Sequence, residues 1–187
     1  MEKDLLRKKY LQKRSLLSVS EIEEKSLAIA NKCLGLSVWH FSNFHLFLSI
    51  TEKNEINTEY LLHILQGKDK NIVIPKVNDQ NQTLEHFLLT DNTVIQKNNW
   101  GIPEPVDAFP FPIDKIEVVF IPLLAFDLKG NRVGYGKGFY DKFLVQCSQN
   151  VKKVGLSFFT PEEKIAMQDT DIPLDFCVTP HAVLTFE

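Results

Sequence analysis

The residues best suited to chemistry crowd into one stretch, AFDLKGNRVGYGKGFYDKFL, residues 125 to 144. Gly134, Gly136 and Gly138 alternate with Tyr135 and Lys137, Arg132 and Val133 precede them, and Phe139, Tyr140 and Asp141 follow. Without a Cβ, such a backbone can approach a bulky anion, and its N–H groups can converge on phosphate oxygens at the positive end of a helix dipole. Arg132 and Lys137 add side-chain charge, and Asp141 could bind a cation that the phosphates share. The stretch is not a P-loop, because Gly138 follows Gly136-Lys137 where Ser or Thr is required and Asn131 stands in the upstream glycine position. Nor is it G-x-G-x-x-G. A flexible turn with no ligand is the bland alternative, but three alternating glycines with Arg and Lys after an apolar strand favour phosphate binding.

Other candidates are weaker alone. Lys3 and Arg7, at i and i+4, share a helix face and could clamp a second part of a polyphosphate, although a solvated basic face would look the same. Glu55 follows an apolar strand by five residues, where a carboxylate gripping a substrate would sit. Trp100, set in the proline loop NWGIPEP, could stack on a flat ring or plug the loop down. Asp171 and Asp175 could orient a metal or merely flank a turn. The five histidines show no ligand spacing, and each is read as structural.

These residues need a scaffold. Leu6, Tyr10 and Leu17 define one face of a first helix, with Lys3, Arg7 and Arg14 on another. Ser18 or Ser20, with Glu21 or Glu23 three residues on, opens a second helix of about 14 residues. FHLFLSI (44 to 50), IVIP (72 to 75), VVFIPLLAF (118 to 126) and VKKVGLSF (151 to 158) read as buried strands, LEHFLL (84 to 89) as a possible further one. Asn57 or Thr58 caps a helix through EYLLHIL, and another runs through FYDKFLVQC. Residues 97 to 112 hold Gly101 and four prolines, which predicts a long ordered loop without regular structure. Two short strands, 175 to 178 and 182 to 186, close the chain. Strands alternating with helices predict a single three-layer α-β-α domain over residues 1 to 187, Rossmann-like, with a mostly parallel sheet. Ligands then belong at loops beyond the strands' carboxyl ends, after Ile50, Pro75 and Phe126.

Composition sets outer bounds. The 187 residues are 44% hydrophobic and 24% charged, an ordinary globular balance. A net charge of −3 argues against general nucleic-acid binding, which needs a broad basic surface. No apolar leader opens the chain, and no apolar run is long enough to span a membrane. Three scattered cysteines, Cys33, Cys147 and Cys177, with no CxxC, fit a reducing cytoplasm better than a disulfide framework or a zinc site. A cytoplasmic monomer is the expectation.

Taken together, the segments resemble the 5-formyltetrahydrofolate cyclo-ligases, also named methenyltetrahydrofolate synthetases. The likeness covers nearly the whole chain: KxxLR at Lys3 to Arg7, the EINT block at Glu55, GIPEP at 101 to 105, FDxxGxRxGYGxGxYD at 126 to 141, and DxPxDxxxT at 171 to 179. Phe139 departs from the family's usual tyrosine, keeping an aromatic face without a hydroxyl. The resemblance implies an ATP-dependent, Mg²⁺-requiring conversion of 5-formyltetrahydrofolate to 5,10-methenyltetrahydrofolate, with release of ADP and phosphate. It implies a nucleotide site at Lys3, Asp4, Leu5, Leu6 and Arg7 and at Arg132, Val133, Gly134, Tyr135, Gly136, Lys137, Gly138, Phe139 and Tyr140. Folate contacts map to Ile50, Glu55 and Tyr135 through Phe139, and magnesium ligands to Asp141 and Asp171. Arg132 and Lys137 are the expected catalytic residues, acting on a phosphoryl group transferred to the formyl oxygen. Competing readings are another α/β protein using the loop for a sugar phosphate or CoA, and a non-catalytic folate- or nucleotide-binding protein of the same fold.

Overall fold

The computed structural model describes residues 2–186. In chain order its elements are α1 (Lys3–Ser15), α2 (Val19–Cys33), β1 (Asn43–His45), α3 (Glu59–Gly67), β2 (Asn71–Asn78), β3 (Thr83–Leu88), β4 (Val94–Lys97), β5 (Pro103–Val106), β6 (Phe109–Pro110), β7 (Val118–Pro122), β8 (Ala125–Phe126), β9 (Arg132–Val133), α4 (Phe139–Gln146), β10 (Lys152–Leu156), β11 (Phe176–Val178) and β12 (Val183–Thr185). The main sheet has the order β12-β11-β10-β7-β1-β2-β3-β6. Its five central strands are parallel, and β12, β3 and β6 pair antiparallel at the edges.

Alternation along the buried strands sorts two cores. Val118 and Phe120 of β7, with Ile72 and Ile74 of β2, face α2 and α3. Val119 and Ile121, with Val73, face Phe143 and Leu144 of α4. Helices on both faces make the three layers that the strand-helix alternation predicts. Ser18 opens α2 with a complete capping box, its hydroxyl accepting from Glu21 N–H while the Glu21 carboxylate accepts from Ser18 N–H.

Counted in chain order, the five parallel strands run 2-1-3-4-5 across the sheet, a doubly wound order whose direction reverses between β1 and β7. Chain segments leaving the carboxyl ends of such a pair diverge, and a crevice opens between them. Here those segments are Phe47–Ile50 and Pro122–Leu124, and the third wall comes from β9 and the loop to α4.

Three expectations need correction. The apolar run at 118 to 126 is not one strand: Pro122 ends β7, and Ala125–Phe126 turns away to pair with Arg132–Val133. The run at 44 to 50 keeps strand geometry only through His45. The proline-rich segment is not irregular, since β4 and β5 form a hairpin with Lys97 opposite Pro103 and Ile95 opposite Pro105. Prolines are tolerated there because the two-stranded sheet leaves their N side unpaired. Its tip is fixed by Asn98, whose side-chain oxygen accepts from Trp100 N–H at 2.9 Å and Ile102 N–H at 3.0 Å.

Candidate active site

The crevice at the switch point is a cleft of about 890 Å³, near the top of the roughly 300–1,000 Å³ range of small-molecule pockets. Its walls include Lys3 and Arg7 of α1, Ile50, Lys53 and Glu55 after β1, Pro75 and Val77 of β2, Ile102 and Pro103 of the hairpin, Arg132 to Lys142, and Gln168 to Ile172.

The glycine loop is shaped by its sequence. Gly136 has φ +97° and lies so close to α1 that a Cβ there would sit 3.1 Å from the Arg7 guanidinium. Gly138, φ +67°, opens α4 with no side chain capping the helix, so the first N–H groups of α4 are left for a ligand. Arg7 Nε donates to the Gly134 carbonyl at 3.1 Å, which ties α1 to the loop. Thus the two basic segments, far apart in sequence, meet.

Their charges are matched by carboxylates. Lys3 Nζ pairs with Asp171 Oδ2, both side chains mostly buried, and that oxygen also accepts from Gln168 N–H. Arg132 is 7% exposed at its side chain; it donates to the Ile172 carbonyl and, at 2.7 Å, to Asp141 Oδ1. Ile172 N–H donates to the same Asp141 oxygen at 3.2 Å, so both aspartates flank one short segment. Lys137 enters none of the ion pairs among the described residues and lies 5.9 Å from the ring centres of both Trp100 and Phe139.

The other end of the cleft is built around Glu55. It is buried; Oε2 accepts from Ile50 N–H at 2.8 Å, and Oε1 accepts from the Tyr135 hydroxyl. Burial raises its pKa, an effect opposed by those two hydrogen bonds and by the charges of Arg14 and Lys53. Tyr135 and Tyr140 are pushed above the usual phenol range, chiefly by burial and then by the Glu55 charge.

Of the first expected segment, Lys3 and Arg7 line the cleft, Asp4 pairs with Arg7, Leu5 is exposed, and Leu6 is buried against Leu124, Ala125 and Val133. Ile50, Glu55, every residue from Arg132 to Asp141, and Asp171 line the cleft too. Trp100 does not line the cleft; it is 57% exposed, its ring centre 5.9 Å from Lys137 Nζ. Asp175 is outside the cleft, paired with Lys153. Arg14 was grouped with Lys3 and Arg7 on a different face from Leu6 and Tyr10; instead it is buried beside Leu6 and Tyr10, its Nη2 donating to the Tyr135 hydroxyl. The spacing 6, 10, 14 carried that signal, and Leu17, given to the same face, lies beyond the helix end. Lys53, Lys142 and Asp169 are further lining residues that the sequence did not mark. His45 and His86 are buried away from the cleft with both ring nitrogens unpartnered.

No group of three or more His, Cys, Asp or Glu side chains is positioned to hold a metal among the described residues. Asp141 and Asp171, both lining the cleft, offer hard, oxygen-only ligands. That fits Mg²⁺, which takes one or two carboxylates and completes its shell with water and phosphate.

A doubly wound sheet with a glycine loop, cationic side chains and a buried carboxylate around one cleft defines the class: an α/β protein that can hold small anionic ligands at its strands' carboxyl ends. The model of the 5-formyltetrahydrofolate cyclo-ligase family matches residues 1–180. A probable 5-formyltetrahydrofolate cyclo-ligase of Schizosaccharomyces pombe is 29% identical over 181 residues, 87% of each chain. The 5-formyltetrahydrofolate cyclo-ligase of Haemophilus influenzae is 34% identical over 141 residues, 71% of this chain and 72% of that one. Among solved structures, the 5,10-methenyltetrahydrofolate synthetase of Aquifex aeolicus superposes with a TM-score of 0.85 at 29% identity, covering 100% of this chain and 94% of the other. The chain belongs to the 5-formyltetrahydrofolate cyclo-ligase family, and it is an enzyme.

Proposed function

We propose that the protein uses ATP and Mg²⁺ to convert 5-formyltetrahydrofolate to 5,10-methenyltetrahydrofolate, releasing ADP and phosphate. The observation that carries this reading is the single glycine loop with two chemistries: its backbone and Lys137 border the cationic end, while its Tyr135 bonds Glu55 at the other. A loop of that kind can bring a phosphoryl donor and a folate together.

A formamide carbonyl is a poor electrophile with a poor leaving group. The γ-phosphoryl group is transferred to the formyl oxygen, giving an imino-phosphate at N5. Folate N10 attacks the formyl carbon and loses its proton, the carbon–oxygen bond breaks, and phosphate leaves with the former formyl oxygen. Catalysis of phosphoryl transfer is mostly positioning and charge stabilisation. Arg7, Arg132, Lys137 and the loop N–H groups supply the second, and Glu55 accepts from the N–H donors along the edge of the folate ring. Ring closure is intramolecular, so holding N10 against the formyl carbon is the site's remaining task. Asp141 and Asp171 would hold Mg²⁺, which would supply charge neutralisation at the phosphates. Lys3 and Arg132 exchange these carboxylates for phosphate oxygens as the ligands enter.

Purified protein mixed with 5-formyltetrahydrofolate and MgATP should develop the methenyl absorbance, and should not when ATP is withheld. Folded protein that binds folate without any rise would be a binding protein only. The reading also takes the enzyme as a cytoplasmic monomer, consistent with its three free thiols.

A further inference from the structure

Arg14 sits behind the wall of the cleft rather than in it. It is 5% exposed in the last turn of α1, and its Nε has no partner. Its Nη2 donates to the Tyr135 hydroxyl, and its guanidinium carbon lies 5.4 Å from that ring's centre. Its carbonyl accepts from Asn54 Nδ2 at 3.2 Å, which fastens the turn carrying Glu55. A guanidinium has donors only, so Tyr135 must accept from Arg14 and give its own proton to Glu55. The order Arg14, Tyr135, Glu55 is therefore fixed in direction, with the second Glu55 oxygen held by Ile50 N–H.

Packing alone does not explain this residue. The other buried positions on the same helix face, Leu6 and Tyr10, rest on Leu124, Ala125, Val133 and Ile165. An apolar side chain at 14 could extend that contact without burying a charge.

We infer that Arg14 is a positioning residue for folate, acting through Tyr135 to hold the Glu55 carboxylate ionised and aimed into the cleft. This rests on the cyclo-ligase reading, in which Glu55 meets N–H donors of the folate ring. The groups facing Glu55 are Arg14 from α1, Lys53 from the turn after β1, Tyr135 from the glycine loop and Tyr140 from α4. Burial favours the neutral acid, and Arg14 and Lys53 oppose it. An ionised carboxylate accepts at both oxygens, whereas the protonated form offers a donor where folate also donates. Folate affinity is thus lost as pH falls through the Glu55 pKa, and removing Arg14 moves that loss to higher pH.

The test is calorimetric titration of the full-length protein with 5-formyltetrahydrofolate across pH 5 to 9, beside titration with MgADP, for wild type, Arg14→Met, Arg14→Lys and Tyr135→Phe. Arg14→Met should weaken folate binding about ten- to a hundredfold near neutral pH, while MgADP affinity stays within about twofold. Its acid limb should move upward by about one pH unit, and Arg14→Lys should restore most of the difference. If Arg14→Met does not fold, Tyr135→Phe, which cuts the same chain of bonds, should show the same upward move. An acid limb unmoved in the folded variants, or equal losses for folate and MgADP, would overturn the role. Wild-type protein that binds no folate would instead refute the cyclo-ligase reading itself.

Discussion

Replacing Asp171 by Asn separates the two jobs given to that carboxylate. In the ligand-free protein it neutralises Lys3, the two side chains being 14% and 16% exposed. In the proposed mechanism phosphate needs Lys3 and Mg²⁺ needs the carboxylate when ligands enter, so nucleotide without metal would break the pair and strand a carboxylate. Two charges 4 Å apart at an effective dielectric of about 20 attract by about 4 kcal/mol. Part of that is returned by rehydration, leaving a net coupling of roughly 1–3 kcal/mol, or about 5- to 150-fold in affinity. ADP should therefore bind wild type much more tightly with Mg²⁺ than in EDTA. In Asp171→Asn, ADP should bind better in EDTA than it does to wild type, and the enhancement by Mg²⁺ should shrink toward one. Without nucleotide the variant should melt lower, because Lys3 loses its partner, and ADP should restore part of the difference. Calorimetry of ADP with and without Mg²⁺ decides it. An unchanged enhancement in the variant would refute the exchange of partners.

Further tests address single residues. Lys137→Ala should lower kcat by about a hundred- to a thousandfold, as loss of one electrostatic stabiliser does, and normal turnover would show that the phosphoryl group lies elsewhere. Gly136→Ala should cost roughly 1–2 kcal/mol in denaturant unfolding, from its positive φ, and should loosen nucleotide binding by displacing Arg7. Gly134→Ala, with nothing within 4 Å of its added Cβ, is the control and should leave stability nearly unchanged. His45 and His86, 5.2 Å apart, are both held neutral, mainly by burial, His86 pushed down to about 4. Unfolded histidines take up protons below about pH 6.5, so stability is lost as pH falls from there toward 4, by up to about 2.7 kcal/mol per unit for the pair. His45→Leu should make this slope shallower by about 1.4 kcal/mol per unit, read from urea unfolding at pH 7, 6 and 5.

Periodicity exposed the fold because burial is what periodicity reports. Ile72–Ile74 of β2 and Val118–Ile121 of β7 are buried on both faces, and their unbroken apolar runs say so. Backbone constraints were harder to read. Pro122 looks like one more apolar residue in VVFIPLLAF, yet it lacks the N–H that would continue the ladder, and the chain leaves the sheet there. Pro103 and Pro105 suggest an ordered but irregular loop, yet an edge strand does not need their N–H groups, and Asn98 supplies the turn chemistry.

The site followed the same division. Gly134, Gly136 and Gly138 were legible because few other roles need three glycines in alternation beside Arg and Lys. That Lys3 and Arg7 reach them is a tertiary fact, expressed by Arg7 meeting the Gly134 carbonyl, and no spacing within either segment encodes it. Arg14 was hidden by its charge. The spacing 6, 10, 14 marks a core position of α1, but an arginine there breaks the apolar pattern, and only Tyr135 and Glu55, brought from 121 and 41 residues away (135 − 14 and 55 − 14), show why it is there.

Transfer of the γ-phosphoryl group to the formyl oxygen is most directly followed with 5-formyltetrahydrofolate carrying ¹⁸O in its formyl group. After turnover with MgATP in ordinary water, phosphorus NMR of the released phosphate should show one ¹⁸O per molecule of methenyltetrahydrofolate formed. Unlabelled phosphate, with the ¹⁸O released to solvent, would contradict it.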